Sequence, residues 1–150
     1  MVGSPPRSEV GFYDWTRLPV SFPFTPHVSF ARNFDWASTS LGPIEYWPLE
    51  LRQFCNLAMA SPHPAAMFWG DDLTLIYNEA YIPIAGQKHP RIMGQPLREA
   101  WAEVWDEVKD YFLSAKWTGQ ATMKVLKPLF LKLLSCRIRL DVSVLRALIA

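Results

Sequence analysis

The stretch MFWGDDLTLIYNEAY, Met67 to Tyr81, places an aromatic and aliphatic run, a Gly-Asp-Asp break, a second apolar run and an Asn-Glu-Ala start within fifteen residues. Ala65 to Trp69 and Leu73 to Tyr77 read as two short strands joined by a tight reversal at Gly70-Asp71-Asp72. Strict alternation through that reversal predicts Met67, Trp69, Leu75 and Tyr77 on one face, with Phe68, Thr74 and Ile76 on the other. Asn78 has the short acceptor side chain that caps a helix, so Glu79, Ala80 and Tyr81 begin one. Pro83 and Gly86 keep it short.

Upstream, Trp47-Pro48 puts a proline where a first helical turn tolerates it, and Leu51, Phe54, Cys55 and Ala58 follow at one-face spacing. Glu50, Arg52, Gln53 and Asn56 fall mainly on other faces. That helix ends before Ser61-Pro62-His63-Pro64, whose two prolines exclude helical geometry. Downstream, Leu97, Trp101, Val104, Trp105, Val108 and Phe112 recur at helical spacing, which predicts one long amphipathic helix covering the sheet. Glu99, Glu103, Asp106, Glu107 and Asp110 lie on its other faces and read as a solvated surface rather than paired catalytic acids.

The ends read differently. Residues 1–34 carry prolines at 5, 6, 19, 23 and 26 and predict a flexible tail, with Phe12, Tyr13, Trp15, Phe22 and Phe24 available to dock. From Val125 to Ala150 the text is apolar and basic: six basic residues counting Lys124, against Asp141 alone. Ile138, Leu140, Val142 and Val144 alternate there as a strand does. The same stretch, interrupted by charges, is no bilayer-spanning helix.

The chain has 150 residues, 50% of them hydrophobic, enough for one core-bearing domain. A net charge of +1 offers no general field for nucleic acid. Cys55 and Cys136 have no metal-ligand spacing, and the start shows no secretory signal, so a cytoplasmic location is expected. Glycines are isolated, and no phosphate loop, HExxH pair or nucleophile elbow is present. No enzymatic activity is predicted.

Three segments together, DWASTSLGPIEYWPLELR, MFWGDDLTLIYNEAY and KHPRIMGQPLREAWAEVWDEV, resemble the N-terminal PAS region of bacterial and fungal hybrid sensor histidine kinases over Asp35 to Lys124. The resemblance implies an α+β fold, an antiparallel sheet flanked by helices, here incomplete because residues 125–150 depart from the two long strands that the family places there. It implies a sensory module of a phosphorelay protein, with a small-molecule ligand, a kinase partner domain or a second copy of itself as partner. The candidate ligand wall is Met67, Trp69, Leu75, Tyr77, Tyr81, Ile84, Met93, Trp101 and Trp105, although such residues more often form plain core. No cofactor is expected. Flavin photosensing in this family needs a cysteine in the helical segment after the hairpin, whereas Cys55 precedes the hairpin and Cys136 lies in the divergent end; haem sensing needs an axial histidine on the long helix, and Arg98 to Ser114 contains none. His63 and His89 read as turn histidines, and His27 lies in the expected tail. Alternatives to sensing are an interaction or dimerisation module and a truncated remnant.

Overall fold

The computed structural model describes residues 14–17, 23–118 and 146–149. Along the chain come α1 (Pro26–Asn33), single 3-10 turns at Trp36–Ser38 and Ile44–Tyr46, and α2 (Leu49–Ala60). The hairpin β1 (Ala65–Trp69) and β2 (Thr74–Tyr77) follows, then a turn at Glu79–Tyr81 leading into α3 (Ile82–Ala85). α4 (Leu97–Ala100), α5 (Trp105–Thr118) and β3 (Arg146–Ile149) complete an α+β fold. The sheet has the order β2-β1-β3, with β2 antiparallel and β3 parallel to β1. The alternating run Ile138 to Val144 lies outside the described residues.

The hairpin stands where its turn chemistry put it, but its faces differ from simple alternation. Trp69 pairs with Thr74, Phe68 with Leu75, Met67 with Ile76 and Ala66 with Tyr77. Met67 and Trp69 therefore share a face with Ile76 and Thr74, and Leu75 and Tyr77 share the other with Ala66 and Phe68. The cause is the reversal itself. Leu73 leaves β2 for the turn, with φ +52° beside Gly70 at φ +76°, and four connecting residues shift the parity by one. All four residues of β2 are buried, so both faces of the hairpin are covered.

α2 starts directly after Pro48 and ends before Ser61-Pro62, as the prolines at its two ends predict, with Leu51, Cys55 and Ala58 buried. Arg52 and Asn56, expected on solvent faces, are buried as well. The Arg52 guanidinium donates to the carbonyls of Trp47 (2.9 Å), Thr16 (3.0 Å), Ile44 (2.6 Å) and Glu45 (2.8 Å), and to Thr16 Oγ1 (2.8 Å). Asn56 accepts from the Trp15 amide at 3.1 Å and donates to Asp14 at 2.9 Å. Burial raises the Asp14 carboxyl, but hydrogen bonds from Thr16 and Asn56 outweigh it and hold its pKa below the ordinary value.

These contacts correct the flexible-tail reading for residues 14–17 and 23–34; residues 1–13 and 18–22 lie outside the described residues. Asp14 to Arg17 form a strap on α2, and Trp15 is fully buried against Trp47, ring centroids 6.2 Å apart. α1 forms because Thr25 caps it, accepting from the Val28 amide, and because Pro26 stands in the first turn, where no amide donor is missed. Its His27, Val28 and Ala31 are buried.

The expected long helix over Leu97 to Phe112 is two helices. Trp101 leaves helical geometry at φ −128°, ψ 44°. α4 is tied to the sheet, since the Leu97 amide donates to the Leu73 carbonyl at 3.0 Å, and the chain must turn to lay α5 over the hairpin, where Phe112 meets Phe68 at 4.9 Å. The apolar stripe was read correctly as a burial pattern: Leu97, Trp101, Val104 and Val108 are all in the core. Its continuity was not.

Asn78 caps as expected and does more. Its carbonyl oxygen accepts from the amides of Tyr81 (3.1 Å) and Ala65 (3.0 Å), while its amide group donates to the carbonyls of Ala58, Ser61 and His63. One side chain thus joins the end of α2 to both strands. Among the described residues no helix is long and apolar enough to cross a membrane.

Candidate functional site

The outer edge of β2 is closed by backbone, not left open. The Leu75 amide donates to the Gln95 carbonyl at 2.9 Å, and the Gly94 amide to the Leu75 carbonyl at 2.8 Å. Gly94 sits at φ +75°, and a Cβ there would lie 2.5 Å from Cε1 of Phe34, so only glycine lets the 90–96 loop approach α1 this closely. The next outward carbonyl of β2, that of Tyr77, receives a side chain instead: His27 Nε2 donates to it at 2.7 Å.

Between that loop, α1 and the 38–40 segment lies an open groove of about 620 Å³. Its lining includes Phe30, Phe34, Met93, Gly94 and Pro96 and the hydroxyl residues Ser38, Thr39, Ser40 and Thr74. The Ser40 and Thr74 hydroxyls bond each other at 2.9 Å. Asp72, Arg91 and Glu99 stand exposed at the rim, two acids to one base.

Behind Phe30 is a cluster of rings. Phe30 packs on His27 and His89, with centroids 6.1 Å and 6.0 Å away, and the Tyr77 hydroxyl shares a 2.9 Å hydrogen bond with His89 Nδ1. Burial pushes the Tyr77 phenol up to about 12. Burial, and then the neighbouring His27, lower the pKa of His89.

Of the residues expected to line a ligand site, Met93 alone borders this groove. Met67, Leu75, Tyr77, Tyr81, Ile84 and Trp101 are buried in the continuous core, and Trp69 and Trp105 are half-buried against it. The groove is built instead from Phe30 and Phe34 of the expected tail and from polar residues of short connections. A signal existed in Thr25-Pro26, a cap followed by a first-turn proline, which marks a helix and brings His27, Phe30 and Phe34 into register. His89, read as a turn residue, does sit in a turn, yet its ring joins the cluster.

Several groups with catalytic potential are otherwise engaged. The Cys55 thiol is fully buried, and burial raises its pKa far out of the range of a nucleophilic thiolate. Glu103 pairs with Lys88 at 2.9 Å and Asp106 with Lys109 at 2.8 Å. Among the described residues no group of three or more histidines, cysteines or acids is placed to hold a metal ion. Comparison of the chain with protein-family models, curated proteins and solved structures finds no match.

Proposed function

We propose that this chain is a non-catalytic sensory module, PAS-like in plan, that receives a small aromatic ligand in the groove between α1 and the 90–96 loop. The observation that carries the reading is the groove's lining, in which Phe30, Phe34, Pro90 and Pro96 stand together with the hydroxyl residues Ser38, Thr39 and Ser40. Its volume, about 620 Å³, falls within the range of small-molecule sites, roughly 300–1,000 Å³. The phenyl groups suit a flat ring, the hydroxyls suit a phenol, and the surplus of acid at the rim suits an amine. A phosphorelay context, a kinase partner, self-association and a cytoplasmic location belong to the same proposal. They are supported by the sequence resemblance and by the composition.

The test is thermal unfolding of the full chain with phenol, tyramine or 4-hydroxybenzoate at millimolar concentration. Tyramine is expected to raise the midpoint most, since a ligand that binds only the folded state stabilises it. Gly94→Ala, which displaces Phe34, is expected to abolish the gain. An unchanged midpoint with all three compounds contradicts the reading.

A further inference from the structure

A hydrogen bond of 2.7 Å from His27 Nε2 to the Tyr77 carbonyl fastens α1 to the sheet. A carbonyl cannot donate, so Nε2 carries the hydrogen and, in the neutral ring, Nδ1 holds a bare lone pair. That nitrogen is buried and has no hydrogen-bond partner among the described residues. The His89 ring lies 5.8 Å away, centroid to centroid. Burial keeps the Tyr77 phenol neutral, so its hydroxyl can donate to His89 Nδ1 across their 2.9 Å hydrogen bond, the arrangement in which that nitrogen carries no hydrogen.

Phe30 packs beside both rings, and Tyr77 packs on His27 at 5.5 Å and on His89 at 5.9 Å. The nearby cations point elsewhere, Lys88 to Glu103 and the Ala100 carbonyl, Arg91 to the Gln87 carbonyl. None of the ion pairs among the described residues includes either imidazole.

We infer that His27 and His89 form an acid-sensitive latch: the neutral rings hold α1 against the edge of β2, and protonation of the pair releases it. A proton on His89 Nδ1 turns an acceptor into a donor, so the Tyr77 hydroxyl must accept and its own hydrogen loses its partner. A proton on His27 Nδ1 places a second N–H, and a charge, in a buried position without an acceptor. The penalties fall on the docked state, because release exposes the buried His27 ring to water and frees the half-buried His89 ring from the Tyr77 hydroxyl. Docking is therefore favoured above the ordinary histidine range and weakens as the pH falls through it. Release carries Phe30 and Phe34 away and removes part of the groove's lining. That last consequence rests on the sensory reading, whereas the latch does not.

His27, His63 and His89 are the three histidines of the sequence, so each ring signal can be assigned by a single substitution. The test follows the imidazole Cε1–H signals by NMR from about pH 8 to about pH 5, with amide exchange of α1 and α2 measured alongside. The expected result is a His89 curve displaced to lower pH than that of the same ring in the urea-unfolded chain. The amides of Phe30 to Arg32 should lose about tenfold in protection relative to those of Phe54 to Asn56 across that range. His27→Gln keeps a donor for the Tyr77 carbonyl but cannot titrate, so it should move the His89 curve toward its position in the unfolded chain and preserve α1 protection at acid pH. A ratio of α1 to α2 protection that ignores pH in the parent chain overturns the latch, as does release of α1 in His27→Gln at the same pH as in the parent. No ligand is present, so the outcome does not depend on whether the groove binds one.

Discussion

Arg52 and His27 are both polar, both buried and both tied to chain far away in sequence, yet they meet burial in opposite ways. Arg52 spends every guanidinium donor on the strap at Thr16 and on the turn from Ile44 to Trp47. His27 satisfies one ring nitrogen and leaves the other without a partner among the described residues. Asn78 belongs with Arg52, its amide used at both ends. The strap is not perfectly paired either, for the Trp15 indole N–H also has no partner there; but an indole does not titrate in the physiological range, and an imidazole does. A saturated polar group fixes a junction at any ordinary pH. An unsaturated titratable one fixes it conditionally, and here the conditional junction is the one that borders the groove.

The contrast can be tested from the rigid side first. Arg52→Met strips the carbonyls of Thr16, Ile44, Glu45 and Trp47 of their donor, and should destabilise the chain by about 4 kcal/mol in urea titrations. A loss under about 1 kcal/mol would mean the strap is held by Trp15 packing alone. Asn78→Ala leaves the Ala65 and Tyr81 amides without that acceptor and should cost about 3 kcal/mol by the same measurement. On the groove side, Gly94→Ala meets both a left-handed φ and the Phe34 ring, and about 2 kcal/mol is expected. The smallest effect is the pH dependence. Because the His89 pKa is lowered in the folded chain, its contribution is intact above the unfolded value near 6.5 and declines as the pH falls from there through the folded value. His89→Gln should flatten that part of the stability profile, while Arg52→Met should shift the whole profile without changing its slope there.

How far sequence reasoning reached follows the range of the interactions. Gly70-Asp71-Asp72 marked the hairpin and Pro48 with Ser61-Pro62 bounded α2, because turns and helix ends are decided by neighbours. The face parity of the hairpin escaped, since nothing local says that Leu73 adopts a positive φ and joins the turn. The break at Trp101 escaped too: a periodic stripe records burial, and α4 and α5 both obey it while changing direction between them. The prolines before residue 34 masked α1, although Pro26 sits where a helix accepts one. Least legible were the polar anchors. Arg52 reaches Thr16 across 36 positions and His27 reaches Tyr77 across 50, and no pattern within a helix or strand encodes such a partner. The expected ligand wall failed to gather around the groove for the same reason: its members are large and apolar, and such residues go first to the core.

The claim that the α1 side is the receptive side of the domain is tested most directly by mapping backbone amide shifts of the full chain during a tyramine titration. Saturable shifts are predicted at Phe30, Phe34, Thr39, Met93 and Gly94, with Asp14 to Arg17 and the α2 residues that hold them unmoved. Shifts centred on the strap and Arg52, or no saturable shift at all, would contradict it.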